Sequence, residues 1–277
     1  MQSRYESSPK ETASMNTATL RENFLIDSVF EANNFNFTYT HYDRVIVGGA
    51  MPVAQAMVLG TYDEHLKSEY FLERRELGII NVGGEGTVTA DGETFEVNKL
   101  DCLYLGKGVK EVSFASKSDE TPAQFFLMSA PAHQAYPTRL MKKEEASPVN
   151  LGSNETSNER TIYKYIHLDG IRSCQLVMGL TVLAKGSVWN TMPSHVHDRR
   201  MEIYLYFDVP ANQRVVHFMG QPQETRHMFV ANHQAIISPP WSIHSGCGTA
   251  NYSFIWAMAG ENQMFTDMDA VAIPDLR

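Results

Sequence analysis

The chain has 277 residues, of which 43% are hydrophobic and 20% are charged. This composition is typical of a folded globular protein, and the length predicts one large domain or two smaller ones. The net charge of −9 provides no basic surface for nucleic acid and disfavours an anionic membrane. We therefore expect neither nucleic acid nor a membrane as a partner.

The N-terminal residues and the cysteines both bear on the cellular compartment. Residues 1–18 are rich in Ser, Thr, Glu and Lys and lack an apolar signal core. Cys102, Cys174 and Cys247 are odd in number, widely spaced and free of any CxxC pair, which disfavours a disulfide framework. We predict a flexible N-terminal arm over residues 1–18 and a cytoplasmic protein.

Short segments of strand character begin at about residue 35, after one short helix predicted at residues 21–30. Between two alternating runs, the sequence Ala90-Asp91-Gly92-Glu93 predicts a hairpin turn. In the first half, strands are predicted at 35–39, 44–47, 78–81, 87–90, 93–97 and 102–105.

A charged, Ser- and Asn-rich stretch at residues 141–160 predicts a linker between two halves. No long helical period follows it. Strands are predicted in the second half at 161–166, 174–183, 201–207, 214–219, 227–230, 235–238 and 252–258. Evenly spaced short strands indicate an all-β barrel or sandwich protein with a few short helices.

Three histidines and one glutamate in the second half have the spacing of a metal site. His195 and His197 are two residues apart on an extended segment, so their side chains point to the same side. Glu202 follows five residues later, and His244 follows 42 residues after that. Three imidazoles and one carboxylate suit Zn²⁺, and the same set can hold Mn, Fe, Co or Ni.

The parity of these positions predicts a break between two strands. His195 and His197 have odd numbers, whereas Glu202 shares an even register with Tyr204 and Tyr206. Because the side-chain period of a strand is two, one strand cannot aim both sets inward. We predict a turn near residues 198–200, followed by a strand whose even-numbered residues face a barrel lumen.

The two halves form a degenerate repeat. Residues 73–80 (ERRELGII) resemble residues 198–205 (DRRMEIYL), and residues 102–108 resemble residues 235–241. The alignment indicates two barrels of one type, and it places different residues opposite the four metal-site positions. Those opposite His195, His197, Glu202 and His244 are Tyr70, Leu72, Leu77 and Glu111, respectively.

Apolar side chains at most of these positions cannot hold a divalent ion. We predict an N-terminal barrel over residues 19–140 that lacks metal ligands and a C-terminal metal-binding barrel over residues 161–277.

Longer strings identify a family. The HxHx₄E motif, with a later His that follows Pro-Pro-Trp, resembles the metal-binding motifs of the cupin superfamily. The strings at 70–78, 219–227 and 241–246, and the ending at 260–277, resemble the 5-keto-4-deoxyuronate isomerase family. The similarity covers nearly the whole chain beyond the first 18 residues.

The resemblance implies a two-domain cupin built from two jelly-roll-like β-barrels. It implies a ketol-isomerase, an intramolecular oxidoreductase that interconverts 4-deoxy-L-threo-5-hexosulose uronate and 3-deoxy-D-glycero-2,5-hexodiulosonate in the breakdown of pectin and related uronates. It also implies a homohexamer and one Zn²⁺ per subunit, held at the four motif positions. Four protein ligands fill a tetrahedral zinc, so we expect five or six coordination during the reaction.

Such an isomerisation removes a proton from C2 and delivers one to C1, so a proton-transfer group must reach the substrate. The sequence leaves several candidates for it, namely Glu224, His227, Tyr204 and Tyr206. The substrate carboxylate calls for a cationic side chain. Candidates for that role are Arg160, Lys164, Arg199, Arg200 and Arg226.

Other interpretations of the same residues stay open at this point. Three His and one Glu also hold Fe or Mn in cupin oxygenases, and a sugar-acid-binding protein without catalysis would use a similar cavity. A closed structural zinc is a third alternative. The pairs Arg74-Arg75 and Arg199-Arg200 also suit solvated turns or contacts between subunits.

Overall fold

A computed structural model describes residues 1–277, and most of its regular structure is β-strand. The strands of the first half are β1 Gln2–Arg4, β2 Leu25–Ile26, β3 Phe35–Thr40, β4 Ile46–Ala50, β5 Met57–Val58, β6 Arg75–Asn81, β7 Gly86–Ala90, β8 Glu93–Val97, β9 Cys102–Leu105, β10 Val112–Ser116, β11 Phe125–Pro131 and β12 Arg139–Met141. Those of the second half are β13 Val149–Leu151, β14 Arg160–Ile166, β15 Val177–Leu183, β16 Trp189–Asn190, β17 His195–Val196, β18 Arg200–Phe207, β19 Val215–Gln221, β20 Glu224–Val230, β21 Ala235–Ser238, β22 Ser245–Gly248, β23 Ser253–Gly260 and β24 Asp269–Ala270.

The helices are short. They are α1 Pro9–Thr12, α2 Thr17–Phe24 and α3 Asp63–Leu66, with single 3₁₀ turns at Tyr42–Arg44, Lys143–Glu145 and Ile273–Asp275. None of the helices has the length and apolar character needed to cross a membrane. The three cysteines are free.

Each half of the chain builds a seven-stranded sheet and a four-stranded sheet. The first half has the orders β1-β3-β4-β11-β6-β9-β12 and β5-β10-β7-β8. The second half has the orders β13-β14-β15-β23-β18-β21-β2 and β16-β22-β19-β20, plus the pair β17-β24. The orders correspond strand for strand, so that β6 is equivalent to β18 and β9 to β21. The two-barrel prediction and the predicted repeat are therefore confirmed, with Arg75 and Arg200 as the first residues of equivalent strands.

The large sheet of the first half is buried on both faces. Leu77 and Ile79 of β6 belong to a core cluster of 18 buried residues that includes Val88 and Phe114 from the small sheet. The alternate residue Ile80 belongs instead to a cluster of 47 buried residues that extends through the second half. Because strand side chains alternate between faces, one face closes the N-terminal barrel and the other packs against the C-terminal barrel.

A buried carboxylate joins the two halves. Glu76 is fully buried and accepts hydrogen bonds from the backbone N–H groups of Cys174, Gln175 and Leu176 at 2.7–3.1 Å. It also accepts one from the hydroxyl of Tyr104 at 2.8 Å. A side chain at the nearby Gly78 would overlap the sulfur of Met178, so glycine permits the close approach of the two large sheets.

The predicted hairpin at residues 90–93 is confirmed. Ala90 pairs with Glu93, and the two residues between them have positive φ angles of 47° at Asp91 and 86° at Gly92. Positive φ at both central positions is the requirement of a type I′ turn, and Asp-Gly satisfies it at low cost.

The N-terminal residues differ from the flexible arm predicted over residues 1–18. Strand β1 pairs with β3 in parallel, and the backbone N–H of Ser7 donates to the hydroxyl of Tyr42 at 2.7 Å. Ser8 and Glu11 form a reciprocal capping box on α1. Polar composition was misleading here, because these side chains satisfy the backbone of the segment itself. The predicted helix also begins earlier, at Thr17.

The boundaries between the halves are likewise crossed by paired strands. Strand β2 lies in the N-terminal half of the sequence but pairs with β21 of the C-terminal barrel. The predicted linker at residues 141–160 contains β13, which pairs with β14. Neither pairing has a local signal in the sequence. Strand β2 pairs with a strand distant in sequence, and β13 has only three residues.

Replacement of Glu76 by Ala should lower the free energy of unfolding by about 3 kcal/mol, because three buried N–H groups lose their acceptor. Chemical denaturation followed by circular dichroism measures this loss. The matched control is Glu111→Ala, which removes an exposed carboxylate from the same half and should change stability by less than about 0.5 kcal/mol. Equal effects of the two substitutions would contradict the role of Glu76.

Candidate metal centre

Four side chains converge inside the C-terminal barrel. The ligand atoms of His195, His197, Glu202 and His244 all lie within 4.8 Å of one another. His197, Glu202 and His244 are 3% exposed or less, whereas His195 is partly exposed at the rim. The cluster therefore lies in the barrel and opens to solvent on one side.

The predicted break between two strands is present, and it positions three of these residues. Strand β17 ends at Val196 and β18 begins at Arg200, so the chain turns between the histidines and the glutamate. His244 directly precedes β22, a strand of the small sheet. The two sheets of the barrel thus contribute ligands from opposite sides.

Hydrogen bonds orient the imidazoles. His197 donates from Nδ1 to the carbonyl of Arg200 at 2.8 Å, which leaves its Nε2 lone pair facing the cluster. His244 has Ser238 Oγ and the Ser242 carbonyl near its Nδ1, each at 3.3 Å. Both rings therefore present the same nitrogen, Nε2, to the centre.

The protonation states suit a metal site. Burial lowers the pKa of His195 to about 3, so its ring is neutral at pH 7. Burial alone would raise the pKa of Glu202, but His244 and His197 outweigh it and hold that pKa below its usual range. Neutral imidazole and ionised carboxylate are the forms that bind a cation.

The spacing of the ligand atoms fits a divalent cation. His244 Nε2 lies 2.9 Å from His195 Nε2 and 2.9 Å from Glu202 Oε2, and His197 Nε2 lies 3.1 Å from that oxygen. Ligands about 2.1 Å from a common cation are about 3.0 Å apart at right angles and about 3.4 Å apart in a tetrahedron. The observed separations are nearer the right-angle value, at which a cation retains positions for other ligands.

A cavity of about 260 Å³ adjoins the cluster. Its polar lining includes His195, Glu202, Tyr204, Arg160 and Arg200. The remaining lining residues are Leu151, Ile162, Thr181, Thr191, Met192, Pro193, Phe254, Trp256, Met258, Phe265 and Met268.

Of the two tyrosines on β18, only Tyr204 reaches the cavity. Its hydroxyl lies 3.0 Å from Thr191 Oγ1, and burial raises its pKa well above the ordinary value, so the phenol is protonated at neutral pH. Tyr206 lies deeper, with its hydroxyl 2.7 Å from Nδ1 of the buried His217. Both face the lumen as the parity predicted.

The structure does not bring Glu224, His227 or Arg226 to the cavity. All three lie on β20, the edge strand of the small sheet, where Glu224 and His227 are exposed. Arg226 pairs with Glu224 at 2.9 Å and donates to the carbonyl of Ala13. Position in the sequence between the metal-site strands was misleading, because β20 is the edge strand of the small sheet and β19 separates it from β22.

Among the predicted cationic residues, Arg160 lines the cavity with most of its donors free. It lines the cavity from β14, and its only hydrogen bond is from Nη1 to the carbonyl of Asn158 at 2.9 Å. Lys164 lies four residues further along β14. Its ammonium group is 5.4 Å from the ring centre of Phe265. Lys164 therefore contacts a lining residue but does not itself line the cavity.

Arg199 and Arg200 bind the C-terminal segment with most of their donors. Arg200 is 1% exposed and donates to the carbonyls of Met264 at 2.7 Å and Asp267 at 3.0 Å. Arg199 pairs with Asp267 at 2.6 Å and with Asp269 at 2.8 Å. Its hydrogen bonds lower the pKa of Asp267 to about 2.

Three lining residues of the cavity had no individual signal as functional residues. Thr191 lies in the loop after β16, and Phe265 and Met268 lie in the loop between β23 and β24. Phe265 and Met268 are placed at the cavity by the arginine contacts and by the pairing of β24 with β17.

Residues 24–273 match the model of the KduI/IolB family. The chain belongs to the KduI/IolB family. It is 58% identical over 277 residues, 100% of both chains, to the 4-deoxy-L-threo-5-hexosulose-uronate ketol-isomerase of Shouchella clausii. It is 56% identical over 264 residues, 95% of both chains, to the protein of that name from Escherichia coli O45:K1. As a family member this chain is an enzyme, a ketol-isomerase of the intramolecular oxidoreductase class.

Solved structures confirm the cupin fold. An IolB-like protein from Salmonella typhimurium superimposes with a TM-score of 0.74 at 16% identity, over 90% of this chain and 97% of that one. Oxalate decarboxylase from Bacillus subtilis superimposes with a TM-score of 0.55 at 10% identity, over 81% of this chain and 71% of that one. The predicted two-barrel cupin architecture is thus shared with both.

The cluster should bind one divalent cation per chain, measured by elemental analysis after dialysis. Glu202→Gln removes the anionic ligand and should weaken zinc binding by at least about tenfold, a loss seen in competition with a chromogenic chelator. His227→Gln, which alters an exposed imidazole on β20, should retain full occupancy. Equal metal content in both variants would argue against the site.

Proposed function

We propose that this enzyme interconverts 4-deoxy-L-threo-5-hexosulose uronate and 3-deoxy-D-glycero-2,5-hexodiulosonate, with a divalent cation held by His195, His197, Glu202 and His244. The observation that carries the proposal is the opening of this cluster into a cavity that also exposes Arg160. The names of relatives 58% and 56% identical to this chain support the choice of substrate.

The cavity suits a six-carbon acid. Its volume of about 260 Å³ is slightly below the roughly 300–1,000 Å³ typical of sites for drug-sized ligands. Arg160 at one side offers a planar guanidinium, which matches a carboxylate in bidentate geometry. We propose that Arg160 binds the substrate carboxylate and so directs the aldehyde end toward the cluster.

Isomerisation converts the C1 aldehyde into a hydroxymethyl group and the C2 hydroxyl into a ketone. A divalent cation at the cluster would act as a Lewis acid and lower the cost of the negative charge that develops on the carbonyl oxygen. Phe265 and Met268 line the cavity and provide apolar surface beside the cluster.

Tyr204 is our candidate for proton transfer at the substrate oxygens. Its hydroxyl is protonated at neutral pH, lines the cavity and is oriented by Thr191. A phenol can donate to one oxygen while it accepts from its neighbour, which matches the movement of a proton between O1 and O2. Glu224 and His227 are exposed on β20, so we do not retain them as candidates.

Several finer properties complete the proposal. We propose Zn²⁺ as the cation, a homohexamer as the assembly and the cytoplasm as the compartment, with a role in the catabolism of pectin and related uronates. The first two follow the family resemblance and are measured by metal analysis of protein from its native source and by light scattering.

The purified enzyme loaded with zinc should convert the 5-keto-4-deoxyuronate, followed by nuclear magnetic resonance of the two sugar acids. Removal of metal by a chelator should abolish turnover, and added Zn²⁺ should restore it, because the cation stabilises the developing charge. Oxygen uptake in place of isomerisation would favour a cupin oxygenase. Binding without turnover by the metal-loaded enzyme would favour a sugar-acid-binding protein.

Two substitutions should separate binding from chemistry. Arg160→Gln should raise KM by about tenfold or more with a smaller effect on kcat, because it removes a charge-assisted contact to the carboxylate. Tyr204→Phe should lower kcat by about 10²-fold with little change in KM, as expected for a lost proton-transfer group. The control Glu224→Gln should match the parent enzyme in steady-state assays. A Tyr204→Phe enzyme with unchanged kcat would eliminate the assigned role.

A further inference from the structure

The N-terminal barrel has a pocket of its own. Its volume is about 210 Å³, close to that of the cavity beside the metal cluster. It lies at the start of β6, the strand equivalent to β18, so that Arg75 lines it as Arg200 lines the other cavity. The lining residues are Tyr39, His65, Leu66, Ser68, Phe71, Arg74, Arg75 and Pro131.

Arg75 is a buried cation without an anionic partner. It is 6% exposed, and its hydrogen bonds go to neutral oxygens: Ser129 Oγ at 3.0 Å, the Ser129 carbonyl at 2.9 Å and the Arg44 carbonyl at 2.7 Å. The adjacent carboxylate of Glu76 is occupied by the backbone of the other barrel and by Tyr104. Burial of an unpaired charge is costly unless an opposite charge approaches it.

The rest of the pocket adds to this preference for an anion. Arg74 donates only to the carbonyls of Leu66 and Lys67, so a second guanidinium also lacks a carboxylate partner. Ser68 Oγ is buried and has no hydrogen-bond partner, although it lines the same pocket. Burial lowers the pKa of Arg75 to about 10, so this group remains charged at pH 7.

We infer that this pocket binds a small hydroxylated carboxylate, with Arg75 and Arg74 on the carboxylate and Ser68 on a hydroxyl group. Guanidinium groups match the planar carboxylate, and Tyr39 and His65 offer further polar contacts. Phe71 and Pro131 provide an apolar surface for the carbon chain.

The pocket binds without catalysing. Tyr70, Leu72 and Leu77, which occupy the positions equivalent to His195, His197 and Glu202, supply no set of metal ligands. The site is thus separate from the metal cluster, and its occupancy can be measured independently of isomerase activity.

The test is a calorimetric titration of the full metal-loaded enzyme with sodium D-gluconate, accompanied by crystals soaked in the same acid. We expect density for the acid at Arg75 in the crystal. We also expect a binding event that Arg75→Gln and Ser68→Ala each weaken, by about tenfold or more for Arg75→Gln. Lys110→Gln, which removes a cation elsewhere on the same barrel, should leave this event unchanged. Because Arg75 is buried, circular dichroism must show that its variant is folded, and Ser68→Ala and Arg74→Gln provide the test if it is not.

Three outcomes would overturn the inference. The first is binding of D-gluconate that folded Arg75→Gln, Arg74→Gln and Ser68→Ala variants all retain. The second is Arg75-dependent binding of inorganic phosphate without any binding of D-gluconate, which would make the ligand class wrong. The third is no binding together with a changed mass of the Arg75→Gln variant in light scattering, which would identify an interface between copies. Failure of the isomerase assay alone would leave an Arg75-dependent event intact.

Discussion

The structure of the C-terminal barrel depends on one buried carboxylate. Glu202 is 3% exposed, and an ionised carboxylate at that depth requires positive charge or strong donors around it. The imidazoles of His197 and His244 approach its Oε2 at 3.1 and 2.9 Å. A cation among these groups relieves both the burial of the anion and the mutual approach of two imidazole nitrogens. The cluster thus has the burial and charge that favour a bound cation.

The C-terminal segment forms part of the wall of the cavity beside this cluster. Two consecutive arginines, Arg199 and Arg200, bind its carbonyls and carboxylates, and β24 pairs with β17 next to His195. The same contacts occupy most of the donors of these arginines, although Arg200 Nε has no hydrogen-bond partner and Arg200 also lines the cavity. Arg160 keeps its remaining donors because a single carbonyl is its partner.

The two barrels share a topology but differ in what their equivalent strands carry. Position 202 in β18 is a carboxylate that faces the lumen, whereas Leu77 at the equivalent position in β6 belongs to the apolar core. The N-terminal barrel instead uses Glu76, whose side chain faces the other way, to join the two large sheets. The same topology thus supports a candidate metal centre in one half and a structural contact in the other.

Local patterns in the sequence were sufficient for much of this protein. The period of two, the hairpin at Asp91-Gly92 and the parity change between His197 and Glu202 determined the strands, the turn and the break near the metal cluster. These features are local because strand alternation and turn conformation depend on neighbouring residues. The resemblance between residues 73–80 and 198–205 also predicted the equivalence of β6 and β18.

Tertiary structure alone decided which candidates meet. Arg160 and Tyr204 share a cavity, whereas Glu224 and His227 lie on an edge strand, although the sequence offered Glu224, His227 and Tyr204 alike as proton-transfer candidates. The sequence also did not predict the pairing of β2 with the distant β21 or the regular structure of the N-terminal residues. The physical reason is that contacts between strands far apart in sequence depend on the whole sheet order, which no local period contains.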